Sequence, residues 1–254
     1  METMEATILR SLDAGSGELY EFLPYLLQDL WELGAAPEII VKMVQTHLAG
    51  GQIHGLDLGC GKGAVTVRLA QELGCHVKGI DGVKEFIEYA KTKAKNYGVG
   101  AISEFKWGDI RHSITEERGY DFVILGACGN VLGDWDLTLD ALKRVTKSKG
   151  WLIIDDAFAE DGQPCDGYAS HRELMSCFAK HKVELIEENV IVENLAKEVN
   201  LFNNQNIRQR ASELKEKHPG KSAIFDDYVQ TQLLECEVLE NKVKCATWLL
   251  RKIE

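Results

Sequence analysis

The chain has 254 residues, a length that suits one large α/β domain or two small ones. Its 45% apolar, 8% aromatic and 27% charged residues are typical of a packed globular protein and exclude a disordered or fibrous chain. The 40 acidic and 29 basic residues give a net charge of −11, which disfavours nucleic acid as a partner.

Two helices are predicted before the first strand. One begins at Pro24 and ends at Gly34, and the other begins at Pro37 and ends at Gly50 and Gly51. Proline is tolerated in the first turn of a helix, and glycine commonly follows the last turn. We expect these helices to cap the rest of the fold.

Strands and helices alternate in the middle of the chain, where no proline occurs between Glu38 and Gln163. Strands are predicted at residues 53–58, 76–80, 102–107, 120–125 and 151–154, and helices at residues 64–73, 84–96 and 134–147. Central strands must donate every ladder N–H, so the lack of proline fits a buried sheet. Nearly continuous apolar strands separated by helices predict a parallel sheet covered on both faces.

The pattern changes after Pro164. The predicted elements are a helix at residues 168–181, a strand at 183–192, a mainly helical stretch at 193–240 and a final strand at 243–253. The helical stretch is interpreted as an insertion between two neighbouring strands. Such insertions often form a lid or a substrate wall, and an extra structural hairpin or a dimer surface is the alternative.

The sequence GLDLGCGKG at residues 55–63 follows a predicted strand and opens a predicted helix. Gly59, Gly61 and Gly63 permit a tight turn and the close approach of a ligand to the backbone. Asp57, at the end of the strand, can accept hydrogen bonds from a ligand amine or hydroxyl. This arrangement predicts a nucleoside-binding α/β fold.

The second predicted strand ends at Asp81, where an acidic residue can bind two ribose hydroxyls. Dinucleotide enzymes prefer the spacing G-x-G-x-x-G, whereas this loop has G-x-G-x-G preceded by an acid. The acid disfavours a pyrophosphate and favours a cationic amine. We therefore predict S-adenosylmethionine (SAM), which carries an amino group and a sulfonium but no phosphate.

DLGCGKG, followed by GID, by GDI at 108–110 and by YDFVILGA at 120–127, resembles a class I SAM-dependent methyltransferase of the small-molecule type. The resemblance covers residues 53–157. It implies a Rossmann-like sheet of seven strands, mostly parallel with the last strand antiparallel, and helices on both faces. The chain would be a single domain with cap helices at 1–50, a SAM-binding core at 53–157 and a helical insertion at 193–240.

The resemblance implies eleven cofactor-binding positions. The methionine part of SAM would be held by Asp57, Gly59, Gly61, Gly63, Leu125 and Gly126. The adenosine part would be held by Asp81 at the ribose and by Gly82, Val83, Asp109 and Ile110 around the adenine.

Methyl transfer is an in-line displacement that requires alignment and exclusion of water. A base is needed only if the nucleophile of the acceptor carries a proton, so the sequence does not demand a fixed catalytic residue. His112, His171 and Tyr20 are the candidates. For each of them a surface or packing role is the alternative.

Asp155 and Asp156 end the fifth predicted strand, where catechol-type methyltransferases bind magnesium. Gly126 and Ala127 stand where that family has a further acid, and two carboxylates alone hold Mg²⁺ poorly. We therefore expect no metal. The Asn/Asp-Pro-Pro-Tyr motif of enzymes that methylate adenine or glutamine side chains is also missing after the fourth strand.

The seven cysteines include no CxxC pair, so neither a disulfide framework nor a zinc site is predicted. Reduced thiols, no secretory signal in METMEATILR and no long apolar run lead us to expect a cytoplasmic protein without a membrane partner. The main hypothesis is an enzyme that methylates a small molecule. A non-catalytic SAM-binding module that contacts a protein partner and an NAD-type dinucleotide enzyme are the alternatives.

Overall fold

The computed structural model describes residues 2–48 and 52–253, with the backbone alone for residues 193–196. Its centre is a sheet of seven strands in the order β3-β2-β1-β4-β5-β7-β6. The strands are β1 His54–Leu58, β2 His76–Asp81, β3 Ser103–Trp107, β4 Tyr120–Gly126, β5 Thr146–Phe158, β6 Val183–Val190 and β7 Lys244–Lys252. The last strand, β7, is antiparallel to both of its neighbours, while the pairs from β3 to β5 are parallel. The predicted fold class is confirmed.

Ten α-helices surround the sheet in the described part of the chain. They are α1 Met4–Ser11, α2 Leu23–Leu26, α3 Pro37–His47, α4 Ala64–Leu73, α5 Lys84–Asn96, α6 Ile110–Glu116, α7 Trp135–Val145, α8 His171–Lys180, α9 Glu193–Lys217 and α10 Ser222–Asn241. Two 3-10 helices lie at Gly17–Phe22 and Pro219–Lys221. None of the described helices is long and apolar enough to cross a membrane.

Both faces of the sheet are buried, as predicted. Leu56 and Leu58 of β1 pack with α6, α7 and α8 on one face. Phe122 and Ile124 of β4 pack with α3 and α4 on the other face. Successive side chains of a strand point to opposite faces, so apolar residues at every position cover the sheet on two sides.

The N-terminal cap, residues 2–33, differs from the prediction. Helix α1 and the first 3-10 helix were not predicted, and the helix expected at residues 24–33 is a helix only at Leu23–Leu26. After Leu26 the chain forms a turn in which the N–H of Leu30 donates to the carbonyl of Leu27, and the ammonium of Lys62 donates to the carbonyls of Leu27 and Leu30. A polar contact from a distant residue therefore overrides the local helical pattern.

Most other predicted elements are present with shifted ends. Helices α4 and α5 have the predicted bounds, whereas β5 begins at Thr146 and α8 begins at His171. Thr146 lies on β5 because it already pairs with Tyr120 of β4, before a register shift in that pair. The helix end predicted at Gly50 and Gly51 lies outside the described residues.

The helical insertion is a hairpin of α9 and α10 between β6 and β7, which pair directly. Its apolar residues pack on the N-terminal cap and form one buried cluster with it. From the hairpin this cluster includes Ile207, Ala211, Leu214, Phe225 and Tyr228. The cap adds, among others, Ile8, Leu19, Leu23, Leu26 and Leu30. The first and last parts of the chain thus form a second layer beside the sheet.

Candidate functional site

The loop between β1 and α4 depends on its glycines. Gly59, Gly61 and Gly63 have φ angles of 71°, 51° and 78°, which side chains rarely adopt. A Cβ atom on Gly59 would lie 2.2 Å from Sγ of Cys128. The glycine loop can take this path only without side chains at these positions.

Gly63 serves packing as well as the turn. A Cβ on Gly63 would lie 2.8 Å from the Cβ of Ala90 and 2.9 Å from the ring of Phe105. Gly63 borders neither cavity described below. Its position therefore lets α4 approach α5 and β3 closely.

Asp81, at the end of β2, joins two loops. Its carboxylate accepts a hydrogen bond from the N–H of Gly61 and another from the N–H of Val83, each at 2.8 Å. Burial raises the pKa of Asp81, and these two bonds act in the opposite direction. The glycine loop is thus fixed to the end of the neighbouring strand.

A cavity that opens to solvent lies at the carboxyl ends of β1, β2 and β4, with about 650 Å³ of empty space when its open part is included. These ends flank the point where the strand order reverses, which is where open α/β sheets bind ligands. Eight of the eleven predicted cofactor positions line this cavity: Gly59, Gly61, Asp81, Gly82, Val83, Asp109, Ile110 and Gly126. The remaining lining residues include no lysine and no arginine among the residues described.

Helix α1 forms the opposite side of this cavity. It contributes Met4, Thr7, Ile8, Ser11 and the adjoining Leu12. These residues were not predicted from the sequence. Met4, Ile8 and Leu12 recur at a spacing of four and follow the N-cap residue Thr3, so helical periodicity was the available signal.

Asp57 lines a second cavity of about 390 Å³ on the other side of the glycine loop. The two cavities share Leu33, Gly59, Gly61 and Gly126. The carboxylate of Asp57 accepts a hydrogen bond of 2.7 Å from the hydroxyl of Thr66, and burial raises its pKa to about 6. Water does not solvate this buried carboxylate. A cationic group of a ligand that reaches it would therefore stabilise its ionised form.

Leu125 borders neither cavity. Its side chain belongs to the apolar core that packs against α6 and α7. Only its backbone can contribute to a ligand site, as the resemblance implied.

Asp109 lines the cavity with its carboxylate already in an ion pair. Arg111 donates to it from Nε at 3.0 Å and from Nη2 at 2.7 Å, and lowers its pKa. The same Nη2 donates to the carbonyl of Glu2 at 3.1 Å. Asp109 therefore ties the cavity to the start of the cap, and a ligand amine would share its oxygens with Arg111.

None of the three catalytic candidates lines either cavity. The side chain of His112 is 79% exposed and lies 3.5 Å from Glu116. His171 lies 2.9 Å from Glu188 of β6. Tyr20 packs within the cap cluster, where burial and nearby acids raise its pKa.

Cys128 does line the first cavity, but burial raises the pKa of its thiol strongly. It is therefore a neutral packing group and donates to the carbonyl of Gly126 at 3.2 Å. Thus none of His112, His171, Tyr20 and Cys128 serves as a general base in the first cavity.

Asp155 and Asp156 have different partners. Asp155 accepts from the hydroxyl of Thr247 at 2.7 Å and from the N–H of Ala36 at 3.2 Å, while Asp156 accepts from the N–H of Ala157. Burial raises the pKa of both carboxyls to about 6. Asp155 of β5 thus connects its strand to β7 through Thr247 and to the start of α3 through Ala36, which is a structural role.

Lys62 holds the N-terminal cap against the glycine loop. It is only 3% exposed, and its ammonium donates to the carbonyls of Leu27 and Leu30, the latter at 2.7 Å. It also lies over the rings of Phe86 and Tyr89, at 5.5 and 5.1 Å from their centroids. Burial lowers its pKa to about 8. The ammonium of Lys62 is thus bound to the cap; Lys62 lines the second cavity but not the first.

The family model described as a methyltransferase domain matches residues 51–228, more than half of the chain. The resemblance drawn from the glycine loop and the following strands is thereby confirmed. Among curated proteins, the chain is 30% identical over 132 residues to demethylmenaquinone methyltransferase of Lactobacillus johnsonii. It is 32% identical over 121 residues to ribosomal protein L11 methyltransferase of Dictyoglomus turgidum.

These matches cover about half of this chain, at 49% and 47%, and 52% and 38% of the two relatives. Among solved structures, a SAM-dependent methyltransferase from Geobacter sulfurreducens in complex with S-adenosylhomocysteine superposes with a TM-score of 0.76 and 14% identity. That superposition covers 91% of this chain and 97% of the other, so it extends the likeness in fold to the cap and the insertion.

Proposed function

The chain belongs to the methyltransferase domain family, and from this premise we propose that it transfers a methyl group from SAM to a small-molecule acceptor. The observation that carries the proposal is the first cavity, which lies at the strand-order reversal and is lined by eight predicted cofactor positions. The products would be the methylated acceptor and S-adenosylhomocysteine.

The charges around the glycine loop support a cationic, phosphate-free cofactor. Asp57 and Asp81 are the acids beside the loop, and the cation of Lys62 is engaged with the cap. A pyrophosphate at this place would face carboxylates without a compensating charge. The sulfonium and amino groups of SAM suit the same surroundings.

Asp81 would hold the ribose. Each of its oxygens accepts one backbone N–H and has a second lone pair free for a ribose hydroxyl. Gly82 and Val83 would lie along the adenine, with Ile110 against its ring. Asp57 would receive the amino group of the methionine part, reached past Gly59 and Gly61.

The protein would act on the reaction by position and by exclusion of water. Helix α1 covers the cavity opposite the glycine loop, so the acceptor and the methyl group would meet in a partly enclosed space. A group that carries no proton at its working pH needs no base. An acceptor of that kind agrees with the absence of a base among the considered candidates.

A partly enclosed cavity favours a small acceptor over a folded protein. The alternative of a non-catalytic SAM-binding module has one observation in its favour. Val199, Leu201 and Phe202 of α9 and Leu234 of α10 are exposed apolar residues that a protein partner would cover.

The test is a thermal-shift series with SAM, S-adenosylhomocysteine and NADH, followed by SAM turnover with pools of metabolites. We expect stabilisation by the two adenosyl ligands and formation of S-adenosylhomocysteine with at least one pool. Binding without turnover in any pool would support the non-catalytic module. Protection by NADH alone would overturn the proposal in favour of a dinucleotide enzyme.

A further inference from the structure

Away from the cavity, α7 and the end of α8 bring together three side chains of types that bind zinc. Asp136, Cys177 and His181 each offer one donor atom, and these atoms lie within 4.8 Å of one another. Oδ1 of Asp136 is 2.7 Å from Nε2 of His181 and 3.4 Å from Sγ of Cys177. Donors bonded to one tetrahedral zinc ion at about 2.0–2.3 Å are about 3.3–3.7 Å apart. The Asp136–Cys177 distance is already in this range, and Oδ1 of Asp136 and Nε2 of His181 would have to separate by about 0.6 Å.

We propose that Asp136, Cys177 and His181 bind a zinc ion, with a water molecule as fourth ligand. Thiolate, imidazole and carboxylate together favour zinc over magnesium or calcium, which prefer oxygen ligands alone. The thiol of Cys177 would lose its proton to solvent when zinc binds.

Asp140 supplies the contact that orients the imidazole. Its Oδ1 lies 3.0 Å from Nδ1 of His181. A carboxylate on Nδ1 would keep a proton there, so that Nε2, released from its hydrogen bond to Asp136, could bind the metal through its lone pair. The side chain of His181 is 9% exposed, so its ring is held in this orientation by packing as well.

The local charges balance a divalent ion. Asp136, Asp140 and the thiolate of Cys177 carry three negative charges, and Lys180 supplies one positive charge through a bond of 2.5 Å to Oδ2 of Asp136. The excess of two negative charges equals the charge of zinc. Lys180 binds Oδ2 of Asp136, whereas Oδ1 contacts Nε2 of His181 and Sγ of Cys177, and the zinc ion would replace these two hydrogen bonds.

The sequence predicted no zinc site because it contains no CxxC pair. Cys177 and His181 are four residues apart and share one face of the end of α8. The third ligand comes from the first turn of α7, which only the folded chain brings near. Such a ligand set has no contiguous spacing in the sequence.

The experiment is a titration of chelator-treated full-length protein with Co²⁺, a zinc substitute whose bond to a thiolate gives a charge-transfer absorption band. We expect one equivalent to bind with that band, and added Zn²⁺ to remove it. In Cys177→Ser the band should vanish and the Zn²⁺ affinity should fall at least tenfold. Asp140→Ala should weaken binding about tenfold through loss of the oriented imidazole.

Cys165→Ser is the matched control, because Cys165 is also partly buried but lies outside the cluster, and it should bind as the wild type does. Zn²⁺ should raise the unfolding temperature of the wild type and of this control but not of Cys177→Ser. No binding, binding without the band, or equal affinity in Cys177→Ser would overturn the proposal and leave an ion-pair network between α7 and α8. The titration contains no SAM, so its outcome is independent of the methyl-transfer proposal.

Discussion

The two sides of the first cavity are built differently. The glycine loop and Asp81 form one side through short backbone bonds and positive φ angles, all set within the β1-α4-β2 segment. Helix α1 forms the other side, packs on the first 3-10 helix, and belongs to one apolar cluster with residues of α9 and α10, more than 180 residues away in the chain. We infer that the loop side determines which cofactor binds, while the cap side determines how well the cavity is closed.

The first prediction breaks the connection between the two sides. Lys62→Met keeps the length of the side chain but removes the donor from the carbonyl of Leu30 and one of two donors from the carbonyl of Leu27, which keeps the N–H of Leu30. An unpaired buried acceptor costs about 1–3 kcal/mol, so we expect the free energy of unfolding in urea to fall by about 2 kcal/mol. SAM affinity, measured by calorimetry, should fall as well because the cap is loosened.

Lys91→Met, which removes an exposed lysine, is the control and should change the stability by less than about 0.5 kcal/mol. An equally small loss in Lys62→Met would show that the cap is held by apolar packing alone.

The second prediction affects the loop side. Asp81→Ala removes the acceptor for the proposed ribose hydroxyls and for the N–H groups of Gly61 and Val83. We expect SAM to bind at least tenfold more weakly, a loss of about 1.4 kcal/mol or more. Asp166→Ala, a change of an exposed acid outside both cavities, should bind SAM like the wild type. Near-normal affinity in Asp81→Ala would remove the ribose assignment while leaving the fold as described.

The same contrast explains what the sequence revealed. The glycine loop and Asp81 were found because turn chemistry is local and strand ends of a parallel sheet meet at one edge. Helix α1 was missed because its eight residues give a short periodic signal, and its place above the cavity depends on contacts with α9 and α10. The helix predicted at residues 24–33 was wrong for a related reason, since Lys62 captures two of its carbonyls.

The third prediction concerns buried acids of the sheet and of the cap. Burial raises the pKa of Asp57, Asp155, Asp156 and Asp13 to about 6. The folded protein therefore binds more protons than the unfolded chain between about pH 4 and pH 6, and the free energy of unfolding rises as pH falls through 6. We expect the ligand-free protein to unfold about 3 °C higher at pH 5.5 than at pH 7.5, as scanning calorimetry would measure.

SAM binding should respond to pH in the opposite direction. The proposed contact with the amino group requires ionised Asp57, so SAM affinity should decrease as pH falls from 7.5 to 5.5. Asp57→Asn provides the comparison, because it should bind SAM weakly at both pH values and lose most of this dependence. A wild-type affinity that is constant with pH would argue against a contact between Asp57 and the cationic end of the cofactor.

The smallest effect on SAM turnover is expected from a change in the cap, at a residue that packs in its apolar cluster and does not take part in the reaction. Tyr20 lies in the cap cluster, and burial together with Glu5, Glu85 and Asp81 raises its pKa, so its phenol stays neutral and is a poor base. Tyr20→Phe keeps the ring and its packing and should change the rate of SAM turnover less than twofold with any acceptor pool that supports it. A tenfold fall in kcat with unchanged SAM affinity would place a catalytic group on the cap side. In that case closure and chemistry would be shared between the two sides, and the reaction would depend on the contact of α1 with the helical hairpin.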